Sequence, residues 1–313
     1  LTNIILEDNL KTMTEVIPNG EEPTLAVFNP LSWKRTDLVR VHVPVEVMGG
    51  KAFQIVDEGT GEAVPCQIRV QEKNGPITKA NQDLMEIVFV ARDVPATGYR
   101  LYRMLPAQEN KEAMTEMRIS DGMMENRFFR LTFDEATGGI SSIFDKELKR
   151  ELVDEESPYL FNQLIYDSGF SKTCLKGARV CYPHVDESYA FYDPRVEKRF
   201  RRTSPTKAEI LPGENGPVLC SMVAKTRVGP CSAIRQEVVL YQDIKRIDVF
   251  NYLEKKEVWD AEAIYYSFPF AVRDGEFLCE LSDAQVRPDK DQFPGAGRDW
   301  YAVQHWADVS NEQ

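Results

Sequence analysis

A chain of 313 residues with 38 Lys and Arg against 50 Asp and Glu has a formal charge of -12. That balance excludes a nucleic-acid backbone as its partner, because phosphates call for clustered cations. The length is enough to bury a large core and is long for one domain, so two domains are expected.

Residues 1–17 place Leu6, Leu10, Met13 and Ile17 at helical spacing, and Pro18-Asn19-Gly20 ends the run. This is a short amphipathic helix, packed on its own domain. From residue 21 to 106 the pattern changes to short strands at 24–28, 38–43, 53–56, 67–70, 85–89 and 98–103. Asn29-Pro30, Gly49-Gly50, Gly59-Thr60-Gly61 and Asn74-Gly75-Pro76 separate them, and this spacing predicts a small β-sandwich with Trp33 as a core or inter-domain anchor. Residues 107–117 (AQENKEAMTEM) are charged and poor in apolar side chains, and a linker is placed there.

The domain expected over 118–313 opens on a hairpin. Phe129, Leu131 and Phe133 alternate, Ala136-Thr137-Gly138-Gly139 supplies the reversal, and residues 140–144 return. Longer strands follow at 218–228, 233–241, 246–253 and 263–272. In the first of these, Val218, Cys220, Met222 and Ala224 share one face, while Val223, Lys225 and Arg227 share the other. A wide half-apolar sheet needs a second layer, so the domain is read as a large sandwich.

Two stretches break the strand pattern. Residues 164–200 string Tyr166, Asp167, Tyr182, His184, Asp186, Glu187, Tyr189, Tyr192 and Asp193 through weakly periodic sequence, as a long functional loop does. The cluster RVEKRFRR at 195–202 reads as a solvated segment, since no Gly-rich loop or aromatic platform accompanies it. Residues 287–301 (RPDKDQFPGAGRDWY) form a stiff Pro- and Gly-bearing loop. Its Arg287, Asp289, Lys290, Asp291, Arg298 and Asp299 suit hydrogen bonding to sugar hydroxyls. Trp300, Tyr301 and Trp306 read as packing residues, and a strand ends near residue 309.

Six cysteines, Cys66, Cys174, Cys181, Cys220, Cys231 and Cys279, lack C-x-x-C spacing and read as buried thiols in a reducing compartment. The sequence has no N-x-S/T sequon, signal peptide or membrane-length apolar run, so no membrane partner is expected and a cytoplasmic location is the default. Only His42, His184 and His305 are present, without H-x-H, H-x-D or H-E-x-x-H spacing, and no metal site is expected from them.

Four ordered blocks carry a resemblance. They are Glu125-Asn126 with the Thr-Gly-Gly-Ile turn and the following IFDKEL, then LAVFNPLSWKRTDL at 25–38, AIYYSFPF at 263–270 and QVRPDKDQFPGAGRDWYAVQHWADVS at 285–310. Together they resemble glycoside hydrolase family 38, the retaining α-mannosidases. The resemblance implies a mainly β fold, in which a short N-terminal helix (1–20) ends a helical region. A small β-sandwich (21–106) and a galactose-mutarotase-like supersandwich (118–313), truncated at its C-terminus, follow.

It also implies an upstream catalytic α/β domain holding a divalent metal, usually zinc, through two histidines and two aspartates. That leaves no catalytic or metal-binding residue in this chain. Its partners are then an α-mannoside and the catalytic domain of the same polypeptide, with self-association left open. The implied substrate contacts are Arg287 first and Arg298 second, with Asp291, Asp299, Tyr189 and Tyr192. Two further readings stand beside this one. A free-standing carbohydrate-binding module would use Arg287 or Tyr192, and a mutarotase-type isomerase needs a His and a Glu converging on a sugar.

Overall fold

The structure is a computed structural model that describes residues 2–17, 20–48, 52–69, 84–107, 115–168, 201–258, 262–282, 284–288, 290–295 and 301–311. The chain is mainly β, as expected, with one α-helix and one short 3-10 helix (Val45–Met48) among the described residues. None of the described helices is long and apolar enough to cross a membrane. Two compact units partition the chain. The first holds Leu1–Arg118 with Gly213–Ser221 and Val238–Asp248; the second holds Ile119–Pro212, Met222–Glu237 and Val249–Gln313. Most of the linker expected at 107–117 lies outside the described residues.

In the first unit, α1 (Thr2–Glu15) leads to β1 (Thr24–Asn29), β2 (Arg35–Pro44), β3 (Phe53–Asp57), β4 (Ala63–Val64), β5 (Cys66–Arg69), β6 (Leu84–Val94) and β7 (Gly98–Pro106). The strands pair as one sheet in the order β1-β7-β3-β4 and another in the order β2-β6-β5. Their inner faces share one core, in which Phe53, Ile55, Tyr102 and Met104 meet Val43, Ile87, Phe89 and Ala91. The rings of Phe89 and Tyr102 meet edge to face at 4.9 Å. Each such side chain contributes about 1.5–3 kcal/mol on burial.

The Asn29-Pro30 turn has a specific cause. Asn29 is buried, its Nδ2 donates to the carbonyls of Trp33, Val94 and Pro95, and its Oδ1 accepts from Leu31 N. Trp33 itself is 60% exposed, so of the two places expected for it the core is not the one it takes. On α1, Leu6 and Met13 are exposed, so its apolar stripe is not covered along its length; Ile17, two residues past the helix end, is buried.

The second half of the chain adds β8 (Arg118–Ser120), β9 (Met123–Glu125), β10 (Phe129–Phe133), β11 (Ile140–Asp145) and β12 (Arg150–Glu151) as a meander in the order β12-β11-β10-β9-β8. Then come β13 (Leu164–Ser168), β14 (Arg201–Thr203), β15 (Glu209–Asn215), β16 (Leu219–Val228), β17 (Cys231–Tyr241), β18 (Ile247–Lys255) and β19 (Glu262–Tyr266). The last strands are β20 (Glu276–Leu281), β21 (Ala284–Val286) and β22 (Ala307–Ser310). They build sheets β14-β13-β19, β15-β16-β17-β18 and β21-β20-β22. β16 differs from the half-apolar strand expected, since residues 219–224 are buried on both faces. It is an inner strand of its sheet, flanked by β15 and β17.

The β10–β11 hairpin turns as predicted, with Leu131 opposite Ile143. The Asp134 carboxylate accepts from Thr137 N and Oγ1 at 2.7 and 2.8 Å, and Gly138 takes φ +78°. A Cβ there would stand 2.9 Å from Thr226 Cγ2 and 3.2 Å from Gln236 Oε1, so only glycine fits. Gln236, buried on β17, donates through Nε2 to the Asn162 carbonyl at 2.6 Å. Asn162 has φ +55°, a conformation Asn tolerates, and exchanges two amide hydrogen bonds with Asn251 of β18 at 3.1 and 2.9 Å. A polar strut thus links β17 and β18 through Asn162 and packs against the hairpin turn at Gly138, while Gln236 Oε1 is buried with no hydrogen-bond partner among the described residues. The Glu125-Asn126 pair is structural too: Asn126 Oδ1 accepts from Phe128 N and Phe129 N, and Lys146 bridges to Glu125.

Candidate functional site

The sequence singles out the loop after Val286, and the sheet β21-β20-β22 positions it. β20 alternates, so that Phe277, Cys279 and Leu281 take one face while Glu276, Leu278 and Glu280 take the other. Cys279 is fully buried and anchors the strand, paired with Val286 on one side and Ala307 on the other. Each of the two acids meets a nitrogen-bearing side chain from the loop or its return: Lys290 Nζ lies 2.5 Å from Glu276 Oε1, and His305 Nδ1 lies 2.9 Å from Glu280 Oε2.

The loop is closed by Arg287. Its carbonyl accepts from Lys290 N and Asp291 N, both at 3.1 Å, which turns the chain back on itself. Asp291 then answers with both carboxylate oxygens. Oδ2 accepts from Arg287 N at 2.9 Å and from Nε at 3.0 Å, and Oδ1 accepts from Nη2 at 2.8 Å. Gln292 accepts a hydrogen bond from Tyr301 Oη at 2.8 Å, tying the start of the loop to its end.

These contacts set the charge state of the face. The Arg287 guanidinium and its backbone N–H hold the Asp291 carboxyl at about 2, while Asp291 in turn raises the guanidinium. The Lys290 ammonium lowers Glu276. Both shifts favour the ionised carboxylate, unlike the raised pKa of the acid that donates a proton in glycosidic cleavage. What the face offers is a row of paired polar side chains that keep part of their surface exposed, which suits hydroxyl recognition. Among the described residues no three His, Cys, Asp or Glu side chains come close enough to hold a metal ion.

The other expected site residues divide clearly. Arg287 and Asp291 are brought together, and directly onto each other. Arg298, Asp299, Tyr189 and Tyr192 lie outside the described residues, as do His184 and Asp289. Of the basic cluster at 195–202, Arg202 is spent on a forked pair with Asp167, its partner across β13 and β14, at 2.8 and 2.6 Å. Glu276 and Glu280 were not legible as site residues; the signal for them was their alternation with Phe277 and Cys279. The His–Glu proximity an isomerase needs does occur, at His305 and Glu280, but the two are bonded to each other rather than spaced to flank a sugar.

The profile of the glycosyl hydrolases family 38 C-terminal domain matches residues 124–313. A crystal structure of an alpha-mannosidase from Enterococcus faecalis V583 superposes with TM-score 0.60 at 16% identity, over 93% of this chain and 37% of that one. A second structure, of a glycosyl hydrolase family 38 protein from Enterococcus faecalis, superposes with TM-score 0.54 at 16% identity, over 88% of this chain and 37% of that one. At that identity both likenesses are of fold, and the chain spans little more than a third of either structure. No curated protein matches in sequence.

Proposed function

Because this chain belongs to glycosyl hydrolase family 38, we propose that it is the β-region of an α-mannosidase, which scaffolds the enzyme and lends it substrate-side contacts without breaking the bond itself. The observation that carries this reading is the β20–β22 face. It places a family-matched loop of paired charges on a rigid three-stranded sheet, and its acids Asp291 and Glu276 are shifted toward the ionised form. The two carboxyl groups that retaining hydrolysis needs, and a divalent cation with zinc as first choice, then belong to polypeptide outside these residues. In that arrangement the chain's own residues bind and orient the sugar, with Arg287 donating to its hydroxyls. Arg298, Asp299, Tyr189 and Tyr192 complete the contact. Four described cysteines are free thiols, which supports a reducing, cytoplasmic setting.

The test is made on a longer polypeptide that carries the same residues behind a family 38 catalytic domain. It should release mannose from an aryl α-mannoside, with the α-anomer formed first in a proton NMR time course and with loss of activity on chelation. Release of the β-anomer first, or no turnover on any α-mannoside, contradicts the proposal.

A further inference from the structure

Asp291 reads from sequence as a ligand for sugar hydroxyls, yet its geometry gives it different work. Both of its oxygens are taken by Arg287, through the backbone N–H as well as Nε and Nη2. A carboxylate engaged on three N–H groups of one residue has little left to offer a hydroxyl. The engagement is also side-on: the Nε/Nη2 edge of the guanidinium faces Asp291, and no described residue is bonded to Nη1. Arg287 keeps 45% of its side chain exposed.

A free arginine on a surface samples many rotamers, and a planar fork is useful in recognition only when its plane is fixed. Here the plane is fixed by Asp291, and Asp291 is fixed by the turn, since its N–H is bonded to the Arg287 carbonyl. The turn is in turn fixed to β20, through Lys290 and Glu276.

We propose that Asp291 is a positioning residue for Arg287: it locks the guanidinium side-on so that the opposite edge is presented, ready-made, to a pair of neighbouring hydroxyls on a pyranoside. This rests on the reading of the β20–β22 loop as a substrate contact. The ligand class follows from the shape, because the exposed edge of a guanidinium carries parallel N–H groups that match vicinal hydroxyl oxygens.

The experiment is a double-mutant cycle on this chain, with methyl α-mannoside titrated in calorimetry against wild type, Arg287→Ala, Asp291→Ala and the double variant. Asp291→Glu serves as the conservative rescue. Each alanine variant should weaken binding about tenfold, the double variant no further than either one, and Asp291→Glu should recover much of the loss. The Arg287 Nε–H signal in nitrogen-15 spectra should be sharp in the wild type and broadened in Asp291→Ala, while the rest of the spectrum stays in place. If the two losses multiply in the double variant, Asp291 touches sugar itself and the positioning role is wrong. If Asp291→Ala binds as wild type while Arg287→Ala is weakened, the positioning role alone fails. If Arg287→Ala binds as wild type, or the wild type shows no affinity, the reading of the loop falls and this inference with it.

Discussion

The strut behind the β10–β11 turn and the face of β20 are both polar, and they behave in opposite ways. The strut runs through uncharged groups: Gln236 and Asn162 are almost wholly buried, and a glycine lies against them with no room for a methyl group. The β20 face runs through solvent-facing ion pairs, Arg287 with Asp291 and Lys290 with Glu276. Buried polar groups are costly to orphan, while surface pairs contribute little to stability. The strut therefore specifies the fold, and the face is free to serve a ligand.

That contrast can be broken or sharpened by mutation. Gly138→Ala should do the most damage, destabilising by about 3 kcal/mol in denaturant unfolding, because a left-handed backbone and an overpacked contact add together. A change under about 0.5 kcal/mol there would mean that the turn relaxes freely. Gln236→Leu keeps the volume but leaves the Asn162 carbonyl without its donor, for a loss of about 2 kcal/mol. On the opposite side of the comparison, Arg287→Ala and Asp291→Ala should leave Tm where it is, since both side chains are solvent-facing. A marked drop would place the loop in the structural class with the strut.

Acid gives the gentlest separation. The strut holds no titrating group, whereas Asp291 has a folded value of about 2 against an ordinary 3.8. Its pairing with Arg287 is thus fully present above about pH 4 and is lost as pH falls through about 2. Carbon-13 NMR of the Asp291 carboxyl should show a midpoint near 2; a midpoint at the ordinary value would mean that the clamp does not form.

How far the sequence reveals these two regions depends on how local their signals are. The hairpin was legible because Phe129, Leu131 and Phe133 alternate and Thr137-Gly138-Gly139 turns within a few residues. β19 was read as running to residue 272, but it ends at Tyr266. Pro269 lacks the N–H that a ladder needs, and the segment instead makes separate bonds, such as Asn162 N to the Ser267 carbonyl and a bridge between Val153 and Phe270. The strut itself was invisible, because Asn162 finds Asn251 across 89 residues with no pattern to announce it. At the site, Arg287 and Asp291 were legible as hydrogen-bonding residues of one loop. That they would be bonded to each other was not, since the turn bringing residue 291 back to residue 287 is set by backbone hydrogen bonds to a single carbonyl.

The central claim is that these residues support mannoside hydrolysis without performing it. The direct measurement is turnover of 4-nitrophenyl α-mannoside by the purified chain with zinc added, at concentrations high enough to expose slow catalysis. The account predicts no release above the uncatalysed rate. Saturable release that disappears in a variant of this chain's own carboxylates would contradict it.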